Sequence, residues 1–283
     1  MTSKNLNISF EFFPPKNQES IVSLWKNIKR LEPLKPKFIS VTYGAGGSTR
    51  ENTHSLVKDI KNKTSLNPAA HLTCIGTSFN EIEKIADDYW NAGVRHLVAL
   101  RGDVPTEIGK NQKSDFKYAT DLIEFLKKKH DFEITVSAYP EKHPDSKSFE
   151  QEYDVLKKKI DLGATKAITQ FFFNVNAYFD FVDGALKRGL KIPIVPGILP
   201  VTNCKRTIEF AKKMNCQMPI DLIQMFKGLD KDQDTRKLVA VTIVYDQCKK
   251  LIEGDIKDFH FYTLNRADLS FAICHILGIR TLG

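Results

Sequence analysis

Short apolar runs recur along the chain, and each ends on a polar residue able to do chemistry. Glu11 closes Ile8-Ser9-Phe10, Thr42 closes Phe38-Ile39-Ser40-Val41, Asp103 follows Leu97-Val98-Ala99-Leu100-Arg101-Gly102, and Gln170 closes Ala167-Ile168-Thr169. Runs of this length predict strands near 7–12, 37–43, 70–75, 95–101, 133–138, 165–172, 192–199 and 258–264. Helical patterns separate them. In 19–31, Ile21, Leu24, Ile28 and Leu31 recur at helical spacing and mark one buried stripe. Ser48-x-x-Glu51 and Ser78-x-x-Glu81 have capping-box spacing, and Gly93, Gly163 and Gly189 stand where helices should end.

Eight strands alternating with helices predict a single (β/α)8 TIM barrel over 1–283, with extra helices before the last strand: a helix near 203–214, a short segment near 219–228 and a long helix near 234–253. In such a barrel the carboxyl ends of the strands converge on one face, so residues far apart in sequence share a site. Alternation alone also allows an open doubly wound sheet, but no G-x-G-x-x-G follows the first strand.

Composition narrows the class. Hydrophobic residues make up 42% and charged residues 27% of 283, which fits a globular core in water. The net charge of +8 comes partly from lysine runs such as Lys127-Lys128-Lys129 and Lys157-Lys158-Lys159, read mainly as solvated helix ends. Five scattered cysteines without a C-x-x-C pair fit reduced thiols and argue against structural zinc. No stretch has the length or apolarity of a signal peptide or membrane span, so a cytoplasmic protein is expected.

Strand parity puts Ser9 and Glu11 on one face of the first strand and Phe10 and Phe12 on the other. If the phenylalanines pack under helices, the Glu11 carboxyl faces the barrel mouth, as a proton donor or as the partner of a structural cation. Arg101-Gly102-Asp103 pairs a glycine that allows close ligand approach with a fixed carboxylate. Gly44-Ala45-Gly46-Gly47 lacks the Lys-Ser/Thr of a P-loop. Tyr139 and His143 sit on one constrained loop, where they could stack on a nucleotide or simply be solvated. His71 reads as a core histidine, Gln170 as an amide able to pair with a heteroaromatic ring, and Arg266 as a carboxylate clamp or a rim cap. No His/Cys spacing supports a metal. The residues by themselves indicate a barrel enzyme with an acid, an anion-binding rim and a planar ligand.

Eight ordered strings go further. Ser9-Phe10-Glu11-Phe12-Phe13-Pro14-Pro15-Lys16, Val41-Thr42-Tyr43-Gly44-Ala45, His71-Leu72-Thr73-Cys74, Ala99-Leu100-Arg101-Gly102-Asp103, Ala138-Tyr139-Pro140-Glu141, Ile168-Thr169-Gln170-Phe171-Phe172-Phe173, Pro196-Gly197-Ile198-Leu199-Pro200 and Phe261-Tyr262-Thr263-Leu264-Asn265-Arg266 span almost the whole chain. Together they resemble the bacterial 5,10-methylenetetrahydrofolate reductase family. The resemblance implies a flavin-dependent oxidoreductase that binds FAD and passes hydride from NADH or NADPH to methylenetetrahydrofolate by ping-pong kinetics, serving methionine synthesis. It also implies a homotetramer, with NADH the favoured reductant, and no regulatory domain after the barrel.

Position by position, the resemblance makes Glu11 and Asp103 catalytic. It assigns Thr42, Tyr43, Ala45, His71, Arg101, Gly102, Asp103, Ala119, Tyr139, His143, Ser146, Glu152, Lys158 and Lys159 to FAD, and Asp103, Gln170, Arg206, Phe210 and Arg266 to substrate. Four positions depart from the family pattern. Val155 stands where a polar FAD contact is common, Glu152 replaces Asp, Ser146 replaces Ala and Arg206 replaces Gln. Two rival readings carry less. A Schiff-base lyase would need Lys166, which lies at the upstream end of its strand, and a nucleic-acid binder would need a recognition module that the basic chain lacks.

Overall fold

The computed structural model describes residues 6–43, 47–103 and 114–280, with backbone alone at 47–49. Nine parallel strands form the sheet: β1 (Asn7–Phe12), β2 (Phe38–Val41), β3 (Pro68–Thr73), β4 (His96–Leu100), β5 (Glu133–Ala138), β6 (Lys166–Thr169), β7 (Ile194–Val195), β8 (Gly197–Ile198) and β9 (Asp258–Tyr262). Around them lie α1 (Gln18–Leu31), α2 (Gly47–Lys63), α3 (Phe79–Asn91), α4 (Ala119–Lys129), α5 (Phe149–Asp161), α6 (Val175–Lys187), α7 (Cys204–Lys213), α8 (Ile220–Met225), α9 (Gln233–Glu253) and α10 (Ala267–Ile276). The two helices expected before the last strand are α7 and α9, and the short segment between them forms the six-residue α8.

The expected seventh strand breaks into β7 and β8 at Pro196, which has no N–H for a ladder. The break closes the ring. β7 pairs with β6 through Ile168 and Val195, whereas β8 pairs with β9 through Gly197 and His260. The Pro196 carbonyl itself accepts from the His260 amide at 3.0 Å. One run of chain thus supplies both edges, and the arrangement is a (β/α)8 barrel rather than an open sheet.

Alternation along β1 has the consequence expected of it. Phe10 and Phe12 are fully buried with Leu24, Ile28 and Leu31 of α1, in the layer between sheet and helices. The inner face carries a smaller apolar cluster of Phe38, Ala69, Val98, Ile168 and Val195. Lys166 extends over the Phe38 ring and pairs with Glu133 at 3.1 Å, both on residues that begin their strands, away from the mouth.

Local signals set the helix ends. Ser78 and Glu81 form the full capping box of α3. α2 begins at Gly47, so Ser48 lies inside its first turn rather than ahead of it. Gly93, Gly163 and Gly189 take positive φ, as helix-ending residues do. No helix among the described residues is long and apolar enough to cross a membrane.

Candidate active site

Glu11 stands at the carboxyl end of β1, in register with Ser40 on one side and Tyr262 on the other. Its backbone carbonyl accepts from the Thr263 hydroxyl at 2.6 Å, which ties β1 to the end of β9. The side chain points into the barrel and is about 14% exposed. His71 Nε2 lies 3.3 Å from its Oε2, and His260 Nε2 lies 3.8 Å from the same atom. Burial holds His71 below the usual imidazole range, against the opposing pull of the Glu11 charge. His260 is buried in turn, with Nδ1 2.8 Å from Ser9 Oγ and Nε2 without a hydrogen-bond partner among the described residues.

Polar groups continue around the rim at β4 and β5. Gly102 has φ +86, and a Cβ there would meet Thr73 Cβ at 2.9 Å, so both conformation and space require glycine. Arg101 reaches across to Asp145 at 3.2 Å, and Asp103 is exposed beside it. On the loop after β5, the Tyr139 and His143 rings meet edge-on at 4.7 Å. The His143 amide donates to Glu152 at 2.8 Å, and the Ser146 amide donates to the His143 carbonyl at 2.9 Å. Burial pushes the Tyr139 hydroxyl up.

The two lysines of α5 differ. Lys159 is buried and donates to the Ser137 carbonyl at 3.0 Å, and burial brings its pKa down to about 8. Lys158 is exposed. Ala119 opens α4, and Thr42 and Tyr43 follow β2, where Tyr43 Oη lies 3.4 Å from His54 Nε2 of α2. Ala45 lies outside the described residues.

A third group lies at β6. The Gln170 amide continues the ladder to the Ala138 carbonyl at 2.8 Å, and its Oε1 accepts from the Phe171 amide at 3.0 Å. Phe171 packs against Phe210 of α7 at 5.1 Å, leaving Phe210 about 42% exposed. Arg206, one turn earlier on α7, is exposed, and Arg266 lies 3.8 Å from Asp268 at the start of α10.

Three clusters therefore form at the strand ends: Glu11 with His71 and His260, Arg101 with the Tyr139–Glu152 loop, and Gln170 with Phe171 and Phe210. Among the described residues, Arg206, Arg266 and Lys158 form no ion pair with Glu11. His260 is the functional neighbour that the sequence did not single out, whereas Ser9 lies on the Glu11 face as strand parity implies. Parity holds the signal, since outward Phe259 and Phe261 put His260 inward. A cavity of about 680 Å3 lies elsewhere, between the start of α6, residues 217–220 and Lys250 of α9. The Glu11 cluster is distinguished by its chemistry and not by room.

The chain matches the family model described as methylenetetrahydrofolate reductase over residues 1–278. It is 52% identical over 275 residues to the 5,10-methylenetetrahydrofolate reductase of Escherichia coli (strain K12), an alignment covering 97% of this chain and 92% of that protein. The protein of the same name from Pectobacterium carotovorum subsp. carotovorum is also 52% identical, with 97% and 91% covered. A solved structure from Clostridium thermocellum, of a protein that binds two copies of 5-methyl-5,6,7,8-tetrahydrofolic acid, superposes with a TM-score of 0.66 at 17% identity. It covers 98% of this chain and 97% of that one, a likeness of fold. The chain belongs to the methylenetetrahydrofolate reductase family, oxidoreductases of folate metabolism.

Proposed function

We propose that this chain is a FAD-dependent reductase that converts 5,10-methylenetetrahydrofolate to 5-methyltetrahydrofolate with NADH or NADPH, in ping-pong order, and supplies methyl groups for methionine synthesis. The observation that carries the reading is the Glu11 carboxyl, held at the barrel mouth against two buried imidazoles. Family membership supplies the substrate class.

The residues present fit FAD. Arg101 and Lys158 offer cationic groups for a diphosphate, the crossed rings of Tyr139 and His143 offer an aromatic wall, and Gly102 lets a flat ligand approach the backbone. Thr42, Tyr43, His71, Asp103, Ala119, Ser146, Glu152 and Lys159 complete the set at the ends of β2–β5 and on the helices that follow. When bound, FAD supplies the hydride chemistry, taking hydride from the reduced nicotinamide and giving it to the one-carbon unit of the folate.

The protein supplies proton and position. Glu11, in its acid form, protonates the folate amine whose C–N bond breaks, so that the five-membered ring opens to an iminium able to accept hydride. Burial keeps His71 uncharged, so it orients the Glu11 carboxyl without neutralising it as a fixed cation would. The partial exposure of Glu11 leaves a route for reprotonation from water after each turnover. Gln170 offers donor and acceptor to the pterin and, in the other half-reaction, to the nicotinamide, while Phe210 presents a half-exposed ring packed on neighbouring Phe171. Asp103, Arg206 and Arg266 orient the remaining polar groups of the folate. The lyase alternative loses its nucleophile, because Lys166 is paired with Glu133 far from the mouth.

An anaerobic titration tests the reading. NADH should bleach the flavin absorbance of the purified protein, and methylenetetrahydrofolate should restore it. Bleaching without recovery would mean another acceptor, and a protein that binds no flavin would refute the proposal.

A further inference from the structure

Helix α7, which carries Arg206 and Phe210, is held at its carboxyl end by a polar clasp. The helix ends in a Schellman motif, with the Cys216 amide bonded to the Ala211 carbonyl at 2.8 Å and the Asn215 amide to the Lys212 carbonyl at 3.4 Å. The left-handed position of that motif usually takes glycine, yet Asn215 occupies it with φ +54. Its side chain has a use there. Nδ2 donates to the Glu141 carbonyl at 2.8 Å and to the Lys142 carbonyl at 3.1 Å, both on the loop that carries Tyr139 and His143.

Glu141 answers from the other side. Its Oε1 accepts from the Gln217 amide at 3.1 Å, and its Oε2 is buried without a regular hydrogen bond, with the Cys216 thiol against the carboxyl. Burial pushes the Glu141 carboxyl up, as expected of a group enclosed between two segments. Tyr139, Pro140, Gln170, Phe171 and Met214 line the small void beside it. A carboxyl half-buried in a contact between two loops, with one oxygen shut off from water, calls for a reason beyond solubility.

We infer that Glu141 is a positioning residue: with Asn215 it clasps α7 to the Tyr139–His143 loop and so holds Phe210 in place against Phe171, the residue that follows Gln170. The inference rests on the proposed roles of Phe210 and Gln170 toward folate. It makes the geometry of the folate side depend on a residue that touches neither folate nor the reacting atoms.

The test uses Asn215→Gly and Glu141→Ala in the full chain with FAD. Asn215→Gly keeps the helix cap and relieves the left-handed strain while removing both clasp bonds, so a folding failure is not expected. Both variants should exchange the amides of 204–213 faster with deuterium and raise KM for methylenetetrahydrofolate about fivefold or more with a smaller change in kcat. Glu141→Gln retains the acceptor for the Gln217 amide and should restore most of the wild-type KM. Unchanged exchange and KM in both variants, or a fall in kcat with KM unchanged, would overturn the inference. Should the wild-type chain prove unable to reduce folate, the proposed function fails, and the exchange measurement still decides whether the clasp exists.

Discussion

His71 Nε2 lies 3.3 Å from Oε2 of Glu11, joining the third strand to the first across the barrel interior. Because burial lowers the imidazole's pKa, this contact at neutral pH is between an uncharged ring and a carboxyl group. His96, deeper in the barrel, is in the same condition: burial brings it down to about 4, and its Nε2 lies 2.7 Å from Thr135 Oγ1.

Buried neutral histidines make the fold acid-sensitive. In the unfolded chain an imidazole takes up its proton near pH 6.5, whereas folded His96 does so only near pH 4. Between these values the unfolded state binds more protons, so the contribution is fully present above about pH 6.5 and is lost as the pH falls toward 4. The His96 gap corresponds to up to about 3 kcal/mol. Urea midpoints measured at pH 7 and pH 5 should fall on acidification, and His96→Gln should flatten that dependence. Equal slopes in variant and wild type would remove His96 from the explanation.

Gly197 is the point where the barrel closes. A Cβ there would stand 2.2 Å from the Thr169 carbonyl oxygen and 2.6 Å from the Tyr262 ring. The carbonyl is backbone, already bonded to the Tyr262 hydroxyl at 2.6 Å, so no side-chain rotation relieves the clash. Gly197→Ala should cost about 3 kcal/mol, at the upper end of ordinary overpacking, and thermal melting would read it directly. A melting temperature equal to that of the wild type would contradict the closure geometry.

Adjacent lysines should give different phenotypes. Lys159→Ala leaves the Ser137 carbonyl short of its donor and opens space in a buried site, for a loss of about 1–3 kcal/mol in stability. Lys158→Ala touches only solvent-exposed structure and should leave melting unchanged. It should instead weaken FAD retention about tenfold at low salt, a loss that shrinks as ionic strength rises. Flavin fluorescence on dilution measures this, and an identical FAD affinity would remove Lys158 from the cofactor site.

Much of this architecture is legible in the sequence because it is local. Each strand announces itself by a short apolar run, and the parity of Ser9-Phe10-Glu11-Phe12 decides which side chain meets helix and which meets the mouth. What stays hidden is set by partners far along the chain. Pro196 marks a break in the seventh strand, yet only ring closure gives its two halves different neighbours. Glu11 stands out by position, whereas its contacts with His71 and His260 depend on the stagger of strands that are neighbours only in the folded barrel. Lys158 and Lys159 look alike as letters, and helix phase alone buries one of them. The Asn215 clasp is invisible for the same reason, since an asparagine after a helix reads as an ordinary cap.

The central claim is that Glu11 is the proton donor of a flavin-dependent folate reductase. The most direct test is to measure the two half-reactions of Glu11→Gln separately, under anaerobic conditions and with FAD content verified. The account predicts flavin reduction by NADH close to the wild-type rate and a loss of about 100-fold or more in reoxidation by methylenetetrahydrofolate, the range expected when a general acid is removed. Equal loss in both half-reactions with FAD still bound, or folate reduction that persists at the wild-type rate, would contradict it.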